Sequence, residues 1–312
     1  MVPGASNNRN AYNMKKNLII GAATGYKYEP MKYFFTSLKK INFDGDVAIL
    51  VSDKIDEDTK NNLLAHGVIL IYIKSSSISF SRKYAQSRLW KIHGLPHKLL
   101  FKLLNTGKNK LSKLSKYVKI FHLISGSRYC YYYDYLLANK NKYKFILTTD
   151  VRDVIFQADP FAALNDDVLH FYEQDDAIRN NSYTSYWLKH GFGKKALAAV
   201  IDKKSICSGT TIGSIDNMMD YLEKMIIVQA QITPGITGLG GFDQGVHNYM
   251  IYNNYFPGAD VIKNPTGEVV TLENLDTVTL TDNQELVNQY NKVIPVVHLY
   301  DRYPDLKLKA LL

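Results

Sequence analysis

The first half of the chain alternates between short apolar runs and segments of helical periodicity. The apolar runs at 17–23, 46–52 and 68–73 are rich in Ile, Val and Leu, as in strands that are buried on both faces. Helical patterns lie between them, at 30–40 and 56–66. This alternation implies right-handed crossovers and a mostly parallel sheet. We therefore expect an α/β, Rossmann-like fold whose central sheet is flanked by helices.

The second half is less regular. Strands are predicted at 168–172 and 205–213, helices at 215–229 and 243–252, and short strands from there to 294–298. No internal repeat or long linker divides the chain. Its 312 residues are enough for one large α/β domain.

Composition is that of an ordinary globular protein, with 46% hydrophobic and 21% charged residues. No apolar stretch approaches the ~18–20 residues that span a bilayer. The segment at 1–16 is polar and lacks the apolar region of a secretory signal, so we expect a flexible lead-in. The two cysteines, Cys130 and Cys207, do not suggest a disulfide scaffold, and a cytoplasmic location is expected.

Much of the formal net charge of +9 comes from lysines at 98–119, where leucines recur at helical spacing. A solvated helix face or a surface loop would explain this pattern. Contact with an anionic membrane surface or an anionic, lipid-linked acceptor would also explain it, with the protein peripheral at the inner membrane face. No nucleic-acid partner is expected, because no recognised binding motif accompanies the charge.

The apolar run at 143–148 ends abruptly in two acids, Asp150 and Asp153. Open α/β sheets bind ligands at the carboxyl ends of their strands. Two carboxylates there can hold a divalent cation against a diphosphate. The same acids could instead cap turns, and Asp150 could pair with Arg152.

The segment from Thr149 to Phe161 closely resembles the strand, Asp-x-Asp, apolar pair and Asn/Asp-Pro-Phe segment of nucleotide-sugar glycosyltransferases with the GT-A fold. Here the acids have one extra residue between them, Asp-x-x-Asp. The resemblance implies a single GT-A domain at 17–312. Its parts would be a nucleotide-binding half at 17–161, an acceptor half at 162–312 and a basic insertion at about 98–119.

The first strand ends in the small-residue segment Gly21–Tyr26, which resembles the start of glycogenin-like retaining glycosyltransferases, where the loop holds uracil and ribose. A tight strand-to-helix turn would explain it equally well. The segment lacks Gly-x-Gly-x-x-Gly, which disfavours a dinucleotide fold. The resemblance implies donor contacts from a set of residues in this loop and at the end of the second strand: Ala22, Ala23, Thr24, Tyr26 and Asp53.

Arg128 and Asp134 lie in a Tyr-rich helical segment before the acidic strand. This segment resembles the Arg/Tyr-bearing helix that flanks the donor in these families. Arg128 could neutralise the diphosphate or pair with a metal-site carboxylate. A surface salt bridge is the alternative.

Two Gly-containing segments resemble parts of GT-A enzymes that face the sugar and acceptor. In the first, Ser208 and Gly209 match a small-residue strand entry; a turn without a ligand is the alternative. In the second, Gly241 precedes Asp243 and Gln244, which match the Asp-Gln pair near the transferred sugar. Helix capping alone would also explain Asp243. His247 follows Asp243 by one helical turn.

His298 ends a predicted strand, and GT-A enzymes commonly supply such a His as the third protein ligand. Two carboxylates and an imidazole suit Mn²⁺ (or Mg²⁺), with diphosphate oxygens completing an octahedron. Arg302 could contact the diphosphate. The expected donor is a nucleoside-diphosphate sugar, with UDP the commonest carrier, and the expected acceptor is a glycan or lipid-linked glycan.

Asp243 is the predicted general base if the anomeric centre inverts. If configuration is retained, Gln244 or the leaving phosphate matters more, and the glycogenin-like features lean this way. A second base candidate is the acidic group Glu173, Asp175 and Asp176. Two rival functions remain: a metal-dependent nucleotide-sugar hydrolase or phosphotransferase, and a non-catalytic module that binds membrane or polyanion.

Overall fold

The computed structural model describes residues 15–87, 92, 94–164, 167–236, 242–273 and 278–311. Within these residues the helices are α1 Lys32–Lys40, α2 Glu57–Ala65, α3 Ser75–Gln86, α4 Gly94–Leu104, α5 Lys110–Phe121, α6 Ile124–Asn139, α7 Ser182–Phe192, α8 Lys194–Val200, α9 Ile215–Gln231 and α10 Phe242–Tyr252. Short 3-10 turns lie at Glu29–Met31, Lys140–Lys142 and Tyr300–Arg302.

The strands are β1 Lys16–Ala22, β2 Asp46–Ser52, β3 Ile69–Ile73, β4 Tyr143–Thr149, β5 Val154–Phe156, β6 Leu169–Ala177, β7 Lys204–Ser214, β8 Asp260–Ile262, β9 Val269–Thr271, β10 Thr279–Leu280, β11 Leu286–Val287 and β12 Val296–His298. Seven of them form one sheet in the order β3-β2-β1-β4-β7-β6-β8. Strand β7 runs antiparallel to both neighbours, and the other pairs in this sheet are parallel. The predicted fold class, an α/β fold with a mostly parallel sheet flanked by helices, is confirmed.

Side chains of successive strand residues enter different cores, as the period of two in a strand requires. In β1, Leu18 and Ile20 pack into a core with Tyr129 of α6 and residues of α9 and α10. Ile19, between them, packs into the opposite core with Phe34 of α1. Both faces of the sheet are therefore covered by helices, which explains why β1 is apolar on both faces from Leu18 onward.

The boundaries of two predicted elements differ from those in the structure. The strand predicted at 168–172 continues to Ala177, so the acidic group at 173–176 lies in β6 rather than after it. The basic segment at 98–119 forms parts of two helices, α4 and α5, which are separated by residues 105–109. Among the described residues, no helix has both the length and the apolarity needed to cross a bilayer.

A second, three-stranded sheet brings the C-terminal part of the chain to the acidic motif. It has the order β5-β12-β9. Val154 pairs with His298, which in turn pairs with Thr271. The N–H of Leu299 donates to the carbonyl of Asp153 at 2.7 Å. Main-chain pairing thus fixes His298 beside the acids, more than 140 residues away in sequence.

Candidate active site and metal centre

The acidic motif lies where the ends of neighbouring strands meet. Asp150 directly follows β4, and its N–H donates to the carbonyl of Gly209 at 2.8 Å. Gly209 lies in β7, whose Thr210 pairs with Thr149. On the other side of β4, Thr149 pairs with Gly21 of β1. The first strand, the acidic strand and the small-residue segment of β7 are therefore neighbours at the carboxyl edge of the sheet.

Asp150, Asp153 and His298 place one ligand atom each within 4.8 Å of the others. The Nε2 atom of His298 lies 3.8 Å from Oδ2 of Asp150 and 3.9 Å from Oδ1 of Asp153. Ligand atoms at about 2.1 Å from an octahedral cation lie about 3–4 Å apart. The spacing of these three atoms therefore fits a common cation.

Two further observations fit a metal at this position. The His298 ring is buried, and its Nε2 has no hydrogen-bond partner among the described residues. Its Nδ1 lies 3.4 Å from both Cys207 Sγ and Thr271 Oγ1, contacts that orient the ring. A Cβ on Gly209 would come within 2.7 Å of Asp150 Oδ2 and 2.9 Å of His298 Cε1, so glycine keeps the space between the ligands open. Oxygen and imidazole donors suit Mn²⁺ or Mg²⁺.

Arg128, on α6, forms ion pairs with two carboxylates, one of which belongs to this cluster. Its Nη1 lies 2.5 Å from Asp150 Oδ1, and its Nη2 lies 2.8 Å from Asp243 Oδ2. Since Arg128 takes Oδ1 of Asp150, it leaves Oδ2 facing His298. The structure shows Arg128 paired with the carboxylate of Asp150, and its contact with a diphosphate stays a prediction.

The charges of these groups shift one another's protonation. Burial acts to raise the pKa of Asp150, but Arg128 and His298 outweigh it, and the pKa lies below its usual value. Burial raises the pKa of Asp153, which His298 only partly offsets. For His298, burial acts to lower the pKa, whereas Cys207 and the two aspartates raise it to about 9. These groups therefore form one electrostatically coupled unit.

Arg152 pairs with the second acid rather than the first. Its Nη2 lies 3.4 Å from Asp153 Oδ2 and 3.6 Å from Asp301 Oδ2. The alternative interpretation of the motif, an ion pair between Asp150 and Arg152, is therefore wrong, because Asp150 turns to Arg128 instead.

A cavity of about 600 Å³ opens over Asp150, Asp153 and His298. The predicted donor-contact residues that line it are Ala22, Thr24, Tyr26, Arg128 and Arg302. Ala23 is buried and does not line this cavity. Asp53 does not line it either; its carboxylate accepts a hydrogen bond from the N–H of Ser75 at 2.8 Å, at the first residue of α3. The predicted donor roles of these two residues remain predictions.

The Asp-Gln pair lines the cavity but is engaged in internal hydrogen bonds. Oδ2 of the buried Asp243 accepts from Arg128, from Tyr129 at 3.1 Å and from Ser208 at 3.4 Å. Burial raises the pKa of Asp243, partly offset by Arg128. The side-chain amide of Gln244 donates to a group of polar residues on β6, α7 and β7: Gln174, Thr184 and Ser205.

The remaining predicted residues are dispersed. Ser208 and Gly209 line the cavity, whereas Gly241 lies outside the described residues. Asp176 lines the cavity as well, but Asp175 accepts a hydrogen bond from Asn264 at 2.9 Å. Others turn away to pair elsewhere: Asp134 forms an ion pair with Lys119, and His247 is buried against Tyr221.

Sequence reasoning missed the wall that α7 contributes to the cavity. Asn181 caps this helix by accepting from the N–H of Thr184 at 3.0 Å. Tyr183 and Trp187, one turn apart on α7, line the cavity with ring centroids 5.8 Å apart. An Asn followed by aromatics at i, i+4 spacing was the available signal. Nothing local in the sequence shows that this helix faces Asp150.

No protein-family model matches the chain, and no curated protein matches its sequence. Among solved structures, the chain is similar to core-mannan synthase A from Aspergillus fumigatus, crystallised in an Mn/GDP form. The two are 16% identical, the TM-score is 0.43, and the match covers 84% of this chain and 74% of that one. A similarity of this level carries no argument about activity, so function is argued from the site itself.

Proposed function

We propose that this protein is a metal-dependent glycosyltransferase of the GT-A type. It would transfer a sugar from a nucleoside-diphosphate donor to a hydroxyl of a glycan or glycoconjugate. The observation that carries this proposal is the cluster of Asp150, Asp153 and His298 at the carboxyl edge of the sheet. The cluster lies within a cavity of about 600 Å³ and contains a buried imidazole nitrogen that has no hydrogen-bond partner in the described part of the chain.

Asp150, Asp153 and His298 would hold Mn²⁺ or Mg²⁺, which when bound neutralises charge on a leaving diphosphate. Arg302 lines the cavity beyond the cluster and offers a further positive charge to the phosphates. Arg128 would keep Asp150 ionised and hold Oδ2 toward the metal position. Ala22 and Thr24, which also line the cavity, leave room for a nucleoside, and Tyr26, 41% exposed, offers its ring to the base. We propose UDP as the nucleotide of the sugar donor.

Hydrogen bonding favours a positioning role for Asp243. A general base must reach the acceptor hydroxyl, but Asp243 is only 3% exposed and its Oδ2 already accepts from three donors. We infer that Asp243 fixes Arg128, and that Gln244 fixes the junction of β6, α7 and β7. This arrangement suits retention, in which the leaving phosphate serves as the base, better than inversion. Asp176, which lines the cavity, is the alternative base.

The acceptor side of the cavity suits a carbohydrate. Tyr183 and Trp187 supply aromatic faces against which the apolar face of a sugar ring can pack. Asn180, Asp176 and Glu273 also line the cavity and can exchange hydrogen bonds with hydroxyl groups. Apolar faces beside neutral and acidic hydrogen-bonding groups fit a polyhydroxylated acceptor better than an anionic one.

The test is Mn²⁺-dependent binding and turnover on a panel of UDP-, GDP- and dTDP-sugars. Wild type is compared with Asp153→Asn and with the matched control Asp216→Asn, an exposed acid on α9 that is 70% accessible. One donor should release its nucleoside diphosphate, with activity lost to a chelator and reduced at least 100-fold in Asp153→Asn alone.

Two outcomes would count against the proposal. Donor turnover at full speed that no glycan acceptor stimulates would favour the hydrolase or phosphotransferase. If neither metal nor nucleotide sugar binds wild type, as judged by calorimetry, the protein is not a metal-dependent transferase.

A further inference from the structure

An interval of the chain is entirely free of acidic residues. Between 59 and 133 the sequence contains fourteen Lys and Arg and no Asp or Glu. Because the whole chain carries only +9, the remainder is net acidic. The positive charge is therefore concentrated in the region from α3 to α6 rather than spread over the surface.

Helix α4, in the middle of this interval, has two apolar faces. One face packs inward: His97 is buried, with its ring nitrogens 2.8 Å from the Tyr117 hydroxyl and 3.1 Å from the carbonyl of Gln231. Phe101 and Leu104, four and seven residues on, pack beside α5 and α9. This face accounts for the docking of the helix.

The other face of α4 is apolar but exposed. Leu99, Leu100 and Leu103 have exposed fractions of 61%, 39% and 63%. With the exposed Pro96 they follow i, i+3, i+4, i+7 spacing, the period of a helix face that is normally buried. Lys98 and Lys102 are exposed beside them. We call Leu99, Leu100, Leu103, Lys98 and Lys102 the basic apolar face.

Helix α4 lies at the edge of the sheet where the cavity opens. Strand β7 runs away from that edge, and α9, which follows β7, runs back towards it. Helix α9 ends at Gln231, whose carbonyl forms a hydrogen bond with the ring of His97 on α4. At the same edge, the ring of His122 lies 5.5 Å from that of Phe242, the neighbour of Asp243. A surface that contacts the basic apolar face would therefore lie near the cavity.

We propose that the basic apolar face docks the protein on an anionic lipid bilayer surface. Lysines attract acidic headgroups, and leucines of an interfacial helix enter the boundary between headgroups and acyl chains. Charge complementarity selects this occupant: the face and the surrounding interval offer only positive charge. Docking would bring the cavity to acceptors that are displayed on a membrane. The inference is independent of the proposed reaction.

The test is sedimentation of the full chain with vesicles of neutral phosphatidylcholine and with vesicles containing 30% phosphatidylglycerol. Lys98→Glu/Lys102→Glu is compared with Lys194→Glu/Lys195→Glu, two exposed lysines on α8 whose reversal changes net charge equally. Leu99→Ser/Leu103→Ser is compared with Leu64→Ser/Leu137→Ser, whose leucines are 50% and 57% exposed elsewhere. Thermal melting confirms that each variant is folded.

Wild type should bind the anionic vesicles at least tenfold more tightly than the neutral ones. Lys98→Glu/Lys102→Glu should lose at least tenfold and Leu99→Ser/Leu103→Ser at least threefold, while both controls stay within twofold of wild type. Equal losses in the two lysine variants would mean that only net charge matters, which would overturn the proposal. It would also be overturned if wild type does not bind, or if binding is indifferent to the α4 leucines, as expected when this face serves a protein partner.

Discussion

A side chain added at Gly209 would occupy the space between Asp150 and His298, where we propose that the cation binds. The Cβ of such a side chain would lie within 2.7 Å of Asp150 Oδ2 and 2.9 Å of His298 Cε1. We predict that Gly209→Ala lowers Mn²⁺ affinity at least tenfold by pushing these ligands apart. Titration calorimetry checks this, with Gly191→Ala on α7 as the control, since a Cβ there meets only a side-chain carbon at 3.3 Å.

The two glycine variants should differ in metal binding and not in folding. Equal Mn²⁺ affinity of Gly209→Ala and wild type would contradict a cation between Asp150 and His298. A parallel loss in Gly191→Ala would show that the effect is general destabilisation.

Arg128 is the counter-ion of a buried acid as well as the partner of Asp150. Asp243 is only 3% exposed, so removing Arg128 leaves a buried charge without compensation. We predict that Arg128→Met lowers the free energy of unfolding by about 3 kcal/mol. Arg179→Met, at an ion pair with Asp202 that is more than half exposed, should cost less than about 1 kcal/mol.

Urea denaturation of Arg128→Met, of Arg179→Met and of the double variant Arg128→Met/Asp243→Asn measures how far the buried Asp243 depends on Arg128. The double variant should be more stable than Arg128→Met, because it no longer buries an uncompensated acid. If the double variant is less stable than the single one, Asp243 does not depend on Arg128 for its charge.

At the scale of single residues, the sequence motifs predicted that Asp150, Asp153 and His298 meet, because the types and order of these residues are specific. It did not predict how they are held. Arg128 was expected near the donor or a carboxylate, but its bridge to Asp243 depends on α6 and α10 lying side by side. The orientation of His298 by Cys207 and Thr271 likewise depends on two strands that no local pattern joins.

Helix α7 supplies the cavity wall at which we propose that the acceptor binds. Tyr183 is 71% exposed and lies at the cavity wall with Trp187. We predict that Tyr183→Ala raises the KM for a glycan acceptor at least fivefold and leaves the KM for the donor within twofold, because we propose that α7 contacts the acceptor and the loop at 22–26 contacts the donor. Steady-state kinetics with each substrate varied in turn measures this.

The matched control is Tyr290→Ala, which removes an equally exposed tyrosine, 64% accessible, that does not line the cavity. A rise in donor KM in Tyr183→Ala would place the donor, not the acceptor, against α7. No change in either constant would remove Tyr183 from substrate binding.

Among the elements, those with strong periodicity were predicted well. The central residues of strands β1, β2 and β4 are buried and mostly apolar, so these strands are easily recognised in the sequence. Strand β6 was predicted too short because its last four residues, Gln174 to Ala177, are mostly polar, and two of them, Gln174 and Asp176, line the cavity. Helix α4 could not be separated from α5 by periodicity alone, and only the structure distinguishes its packed face from its exposed one.

The molecule as a whole combines a basic surface interval with histidines buried in neutral form. Burial lowers the pKa of His122 to about 3, with His97 adding to the effect. The same holds for His247, where burial acts first and the charge of Arg128 second, giving a pKa of about 3. Two buried groups that resist protonation make the fold sensitive to mild acid.

His247 allows this sensitivity to be measured. Its pKa is about 3 in the folded protein and about 6.5 in an unfolded chain. Between these values the unfolded chain binds a proton that the folded chain does not, so stability falls as pH falls. From pH 7 to pH 5 this residue should cost about 2 kcal/mol of the free energy of unfolding.

His247→Asn, which loses packing against Phe171 and is less stable at every pH, should therefore lose about 2 kcal/mol less than wild type over this interval. Urea denaturation at pH 8, 7, 6 and 5 tests the difference, which should be nearly constant between pH 8 and 7 and shrink at pH 6 and pH 5. Parallel curves for the two proteins down to pH 5 would mean that His247 is protonated in the folded state, and that the core around Tyr221 accommodates its charge.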